Sequence, residues 1–241
     1  MLVAVIGSRA NSGACCVAAL AKKGFTVRAV SRSGQLSLEQ EGNPGIVPVV
    51  GDVTRRDTLI SALSGVQAVV FAASATAGWR FPSSRTDTPP QVDYEGCKSV
   101  AEVCVELNIP QFIVISSACT TRSMFSSVPY FLLNSLFGRL MYWKRQGELA
   151  TQSIIESNPL CSWTIIRPGG LTNEAALPPS SIQLLTGDLQ SNRIPRANVG
   201  EIVAACVGNE DAKNVAFECV SGDSGASTYE ELLRGIAQTK Q

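Results

Sequence analysis

The chain has 241 residues, 45% of them hydrophobic and 17% charged, with 20 basic residues against 20 acidic. This composition can fill the core of one α/β domain and excludes a disordered chain. The balanced charge offers no basic face for nucleic acid or an anionic membrane, and no apolar run reaches the roughly 18 residues that span a bilayer.

Histidine is absent, which removes the commonest general base, every Ser-His pair and most zinc sites, so no metal centre is expected. The eight cysteines show no Cys-x-x-Cys spacing, and most fall in apolar patterns. They read as reduced core residues in a thiol-keeping compartment.

Leu2 to Ile6 is an unbroken apolar run, too short to be a buried helix, and Gly7 ends it sharply. That is the pattern of a central parallel strand covered on both faces. After Gly13 the periodicity turns helical, with Ala14, Val17, Ala18, Leu20 and Ala21 as its small apolar positions. Strand, glycine turn and helix together aim a helix N-terminus, with unpaired N–H groups and partial positive charge, at a bound phosphate. Gly7 permits the turn, and Gly13 lets the helix pack on its strand.

Phe25 to Ser31 reads as the second strand, ending at Arg32. In dinucleotide-binding folds an acidic residue at that place bonds the ribose 2′-hydroxyl of NAD, whereas an arginine accommodates the 2′-phosphate of NADP. Here Ser31-Arg32-Ser33 is followed by no carboxylate before Glu39, which favours NADP over NAD. Arg9, inside the glycine turn, adds a second positive charge.

Ile46 to Val50 is a third strand leading into Gly51-Asp52-Val53, Arg55 to Leu63 a short helix, and Ala68 to Ala73 a fourth strand. Ser74 to Pro90 is a loop, interrupted by Pro82, Pro89 and Pro90. A helix is predicted from Gln91 to Leu107, with Cys97, Val100, Ala101, Cys104 and Leu107 on one face. Phe112 to Ser116 is the fifth strand. Ser116 and Ser117 stand where such a sheet places a substrate-binding hydroxyl, and serine there also serves as a capping or loop residue.

A loop from Ser117 to Pro129 leads to a helix through Lys144 to Glu156, then a sixth strand, Cys161 to Ile166, ending in Arg167-Pro168-Gly169-Gly170. Leu171 to Arg196 reads as irregular, with one strand near Ile182 to Leu185. Val199 to Val207 is a helix, Asn214 to Val220 a strand and Thr228 to Ala237 a last helix. The alternation predicts a doubly wound parallel sheet in a single domain, with irregular insertions towards its C-terminal end. The apolar segment Val128 to Trp143 reads as core, substrate wall or dimer face, since positive charge comes only after it, at Lys144 and Arg145.

Taken together, VIGSRANSG, VVGDVTRRDTLISALSGVQAVVFAAS, VDYEGCKSVAEVCVELNIPQFIVISS, YWKRQGE, WTIIRPGGLT and PRANVGEIVAACV resemble the atypical short-chain dehydrogenase/reductase group over nearly the whole chain. The resemblance implies a Rossmann sheet in which Gly7, Asn11, Ser12 and Gly13 hold a pyrophosphate and Asp52 and Val53 flank the adenine. It also implies that Ala72 and Ala73 line the nicotinamide side, that Lys144 bonds the nicotinamide ribose, and that Pro168 packs near the nicotinamide. Two positions depart from the family pattern. Ala10 stands where the glycine turn usually has a further glycine. The active members use Tyr-x-x-x-Lys on the helix after the fifth strand, but the residue four before Lys144 is Leu140. Tyr142 lies roughly 200° around the helix from Lys144 and cannot substitute. A literal Tyr94-x-x-x-Lys98 falls on the helix after the fourth strand, which brings Tyr94 at most to the cofactor rim.

The candidates for chemistry are therefore Ser117, Lys144 and Tyr94. Two functions fit. One is an NADP-dependent oxidoreductase that reduces a small conjugated or quinone-like acceptor without the usual tyrosine. The other is a non-catalytic NADP-binding scaffold or redox-sensing assembly factor. The expected state is a monomer or homodimer, soluble in a reducing compartment (cytoplasm or plastid stroma), with a small-molecule substrate and scope for a protein partner. No leader segment is read at the N-terminus.

Overall fold

Leu2–Ile6 forms the strand β1, and its five residues divide between two cores: Val3 and Val5 point into one, Ala4 and Ile6 into the other. The computed structural model describes residues 1–9, 11–75, 87–121, 139–188 and 192–239. Around β1 it builds an eight-stranded sheet. The other strands are β2 (Thr26–Ser31), β3 (Ile46–Val50), β4 (Ala68–Phe71), β5 (Gln111–Ile115), β6 (Ser162–Pro168), β7 (Gly170–Thr172), β8 (Ile182–Leu185), β9 (Arg193–Pro195) and β10 (Val215–Ser221). The sheet runs β3-β2-β1-β4-β5-β6-β10-β8, with β7 and β9 as a separate parallel pair.

The helices are α1 (Asn11–Lys22), α2 (Arg56–Leu63), α3 (Pro90–Gly96 running into Cys97–Glu106), α4 (Leu140–Ile155), α5 (Arg196–Cys206) and α6 (Tyr229–Gln238). Residues of α1, α5 and α6 pack on one face of the sheet, and those of α2, α3 and α4 on the other. The pairings Ile6↔Val30, Ile6↔Phe71, Phe71↔Val114 and Ile115↔Ile166 bring the carboxyl ends of the strands to one edge. The segments that follow them, after β1, β2, β4 and β5, therefore meet along that edge, the usual ligand-binding side of an open α/β sheet.

The predicted doubly wound sheet is present, with four local corrections. β8 is antiparallel to β10, because no crossover helix separates it from β6 and the chain re-enters the sheet at the edge it has just left. The first seven residues of α3 are π-helical rather than α-helical. Two three-residue strands, β7 and β9, lie in the stretch read as irregular, and α5 starts at Arg196 rather than Val199.

Six of the eight cysteines are buried free thiols, and burial pushes Cys97 up to about 12. No helix among the described residues is long and apolar enough to cross a membrane. Ala10, residues 76–86 of the first predicted loop and 128–138 of the apolar segment lie outside the described residues.

Candidate functional site

The glycine turn is built by contact of backbone on backbone. Gly7 adopts φ +80°, and a Cβ there would lie 2.8 Å from the Ala73 nitrogen. A Cβ on Gly13 would lie 2.0 Å from the Gly7 carbonyl oxygen, so only glycine lets α1 begin this close to the end of β1. The amides of Gly7 and Ser8 donate to the Val30 carbonyl at 3.0 and 3.3 Å, and the Ser8 hydroxyl joins them at 3.1 Å. Buried Gln40 secures the turn from the other side: its Nε2 donates to the Ser8 carbonyl at 2.8 Å.

Beside this turn a cleft of about 780 Å³ follows the carboxyl edge of the sheet. Gly7, Arg9, Asn11 and Ser12 line its centre, and Arg32, Asp52 and Val53 line the end beside β2 and β3. Ala72, Ala73, Ser117 and Lys144 line the other end. Three predicted residues stand outside it. Gly13 packs on Gly7, and Pro168 is buried in β6, where its carbonyl accepts from the Ala118 amide at 2.8 Å. The Tyr94 ring stacks on Trp143, centroids 5.9 Å apart and planes 28° apart.

At the far end, α4 presents Leu140, Met141 and Lys144 to the cleft, one helical face of the spacing i, i+1, i+4. Tyr142 is not among these residues; the Arg139 guanidinium sits over its ring at 4.3 Å. The Lys144 ammonium is held 2.8 Å from Asp93 Oδ1. Asp93 lies in the π-helical turns, its side chain fully buried, and it also accepts from the Ser74 hydroxyl at 2.8 Å and the Ala75 amide at 2.9 Å. The Ser117 hydroxyl donates to the Ala118 carbonyl, whereas the buried Ser116 hydroxyl has no partner among the described residues.

Sequence reasoning gave no role to Asp93, Leu171, Gln40 or Arg196. Leu171 and Arg196 line the cleft, and Arg196 is the first residue of α5. The helix predicted three residues too late hid it; the Pro195-Arg196 step at a helix start was the signal available.

Behind the cleft lies a buried ionic cluster. Arg167 on β6 donates from Nε and Nη2 to both oxygens of Glu148 on α4, at 3.1 and 2.9 Å, and from Nη1 to Glu218 on β10 at 3.1 Å. Arg145 adds a further bond to Glu148 at 2.8 Å. Glu218 also accepts the Asp188 amide, and the Asp188 carboxylate in turn accepts the amides of Cys119 and Thr121, which fixes the segment after Ser117. Burial opposes the Arg167 charge, but the hydrogen bonds and attraction to Glu148 and Glu218 outweigh it and raise its pKa. For Glu218 burial dominates and raises the carboxyl pKa, against the Asp188 amide and Arg167.

A family model described as NAD(P)H-binding matches residues 7–210. Among curated proteins, TIC 62 of Pisum sativum, a chloroplastic protein, is 27% identical over 229 residues, covering 87% of this chain and 41% of its own length. The sanguinarine reductase of Eschscholzia californica is 25% identical over 237 residues, covering 83% of this chain and 81% of its own. This chain thus spans about two fifths of the pea relative. Among solved structures, an oxidoreductase of Lactococcus lactis superposes with a TM-score of 0.77 at 16% identity, covering 99% and 97% of the two chains. The anaerobilin reductase of Escherichia coli O157:H7 gives 0.69 at 18%, covering 94% and 100%.

Proposed function

The chain belongs to the NAD(P)H-binding family, among the atypical short-chain dehydrogenases/reductases, and from that membership we propose that it is an oxidoreductase using NADP(H) to reduce a small conjugated or quinone-like acceptor. One observation carries the cofactor reading. Three arginines line the cleft (Arg9, Arg32 and Arg196), and none is ion-paired with a carboxylate among the described residues. Unanswered guanidinium charge in a cleft that also receives the N-terminus of α1 suits a ligand with two phosphate groups at separate places. Arg32, flanked by serines, supports the 2′-phosphate of NADP over the bare ribose of NAD. When bound, such a dinucleotide supplies a hydride.

The chain's own residues supply position and exclusion of water. Gly7, Asn11 and Ser12 hold the diphosphate, Asp52 and Val53 flank the adenine, and Ala72 and Ala73 back the nicotinamide. Lys144 is fixed by Asp93 within reach of the ribose end. Leu140 faces the cleft where active relatives carry tyrosine, so no phenol is present there to move a proton. Acceptors that stabilise their own negative charge, such as quinones and conjugated rings, depend least on that missing group. Sanguinarine reductase and anaerobilin reductase, both reductases by name, support this choice of reaction. The chloroplastic relatives support the plastid stroma as compartment.

Leu140 and the neutralised Lys144 also favour a second reading, an NADP-binding scaffold or redox sensor without turnover. One set of assays separates the two. NADPH should bind more tightly than NADH by fluorescence titration, and Arg32→Ala should weaken NADPH about 10- to 100-fold while leaving NADH little changed. NADPH oxidation should then appear with quinones and conjugated acceptors and be about 10²–10⁴-fold slower with simple carbonyls, a gap that Leu140→Tyr narrows. Tight binding with no oxidation by any acceptor class would favour the scaffold, and equal losses of both cofactors in Arg32→Ala would remove Arg32 as the discriminator.

A further inference from the structure

The cationic groups of the cleft are answered unequally. Lys144 has Asp93, and Arg9 and Arg32 are exposed to water. Arg196 is only partly exposed: its Nη1 donates to Asn173 Oδ1 at 2.6 Å, while its buried Nε has no acceptor among the described residues. Arg196 lines the cleft and has no carboxylate partner among the described residues, so its guanidinium is placed to meet an anionic group of the ligand there.

Its place in the fold says which group. Helices α1 and α5 both begin at the carboxyl edge of the sheet, and they pack so closely that a Cβ on Gly200 would lie 2.5 Å from the Cys15 carbonyl oxygen. Arg196 lies one turn towards the N-terminus from Gly200, beside the first turn of α1, where Asn11 and Ser12 line the same cleft. Its charge reaches α1: burial raises the Cys15 thiol pKa, and Arg196 is the largest influence acting against that rise. Arg32, by contrast, stands at the end of β2, on the adenosine side.

We propose that Arg196 binds the diphosphate bridge of the dinucleotide, completing the anion site that the glycine turn and the N-terminus of α1 begin, and that Asn173 orients its guanidinium. This rests on the dinucleotide reading of the cleft. Because NADP and NAD share the diphosphate, Arg196 contributes affinity for both and discriminates between neither, whereas Arg32 discriminates.

The test titrates the full chain, wild type, Arg196→Gln, Arg196→Lys and Asn173→Ala, with NADPH, NADH and adenosine 2′-monophosphate at fixed ionic strength. Arg196→Gln should weaken NADPH and NADH by the same factor, about 10- to 100-fold, with the NADPH/NADH ratio and the affinity for adenosine 2′-monophosphate unchanged. Arg196→Lys should recover part of the loss, since it restores charge without the planar fork, and Asn173→Ala should lose less than Arg196→Gln. Thermal unfolding of the unliganded variants close to wild type shows that the fold is retained. Unchanged dinucleotide affinity in Arg196→Gln would overturn the proposal, as would a loss confined to NADPH and adenosine 2′-monophosphate, or one confined to the KM of an acceptor. A wild-type chain that binds neither dinucleotide would instead overturn the reading of the cleft itself.

Discussion

Lys144 carries the clearest conflict between a binding role and a structural one. Sequence spacing brings it to the cleft, and on that basis alone its removal should leave the unliganded fold intact. The structure changes that expectation: its side chain is 11% exposed and its ammonium faces Asp93, whose side chain is 0% exposed. Removing one partner of a buried pair strands the other charge, typically at about 3–5 kcal/mol. The Ser74 and Ala75 bonds that remain on Asp93 place Lys144→Ala at the lower end, about 3 kcal/mol. Chemical denaturation of the unliganded chain measures this, and Asp93→Asn in the Lys144→Ala background should recover part of the loss. A near-wild-type midpoint for Lys144→Ala would show that solvent, not Lys144, satisfies Asp93. Asp93 was illegible in the sequence because its partner lies fifty-one positions away, and an aspartate in VDYEG reads equally well as a solvated helix residue. Arg196 was hidden differently, by a helix start placed three residues too late. Gly7, Arg32 and Lys144 were legible because each is fixed by its place at the end of a strand or on a helix face.

At the scale of elements, the strands and helices were readable where pattern and length agree, as in β1, β3 and α2. The misses share a cause: β7 and β9 are three residues long, shorter than a recognisable alternation, and π turns have the same composition as α turns. Those π turns are where α3 meets α4. A Cβ on Gly147 would lie 2.2 Å from the Asp93 carbonyl oxygen, and one on Gly96 would lie 2.7 Å from Val53 Cγ2. Backbone against backbone leaves no side chain to yield, so Gly147→Ala must separate the two helices and pull Lys144 from Asp93. Overpacking of this kind costs about 1–3 kcal/mol. Cofactor affinity should fall with it, because Lys144 moves. Gly235, with open space around its Cβ position, provides the control: Gly235→Ala on α6 should be neutral or slightly stabilising in the same thermal assay.

Across the whole molecule, the cluster of Glu148, Arg167, Glu218 and Asp188 joins α4, β6, β10 and the segment after β5. Its acid response follows from Glu218. The raised pKa means that folding takes up a proton there. This contribution to stability is complete below the ordinary carboxylate range and is lost as pH rises through the raised value. The unfolding free energy of wild type relative to Glu218→Gln should therefore fall as pH rises above the ordinary carboxylate range, and a flat or rising difference would place the proton elsewhere. The same cluster has a consequence for a chain still being made. Strands β1 to β5, with the glycine turn and Arg32, emerge from the ribosome first. The segment after Ser117 must wait for Asp188, sixty-nine positions later, and for Glu218 beyond it. Synthesis thus delivers the glycine turn and Arg32 well before Asp188 and Glu218, so a chain stalled short of β10 would carry the first half of the cleft's lining while the segment after β5 still lacks the contacts that fix it.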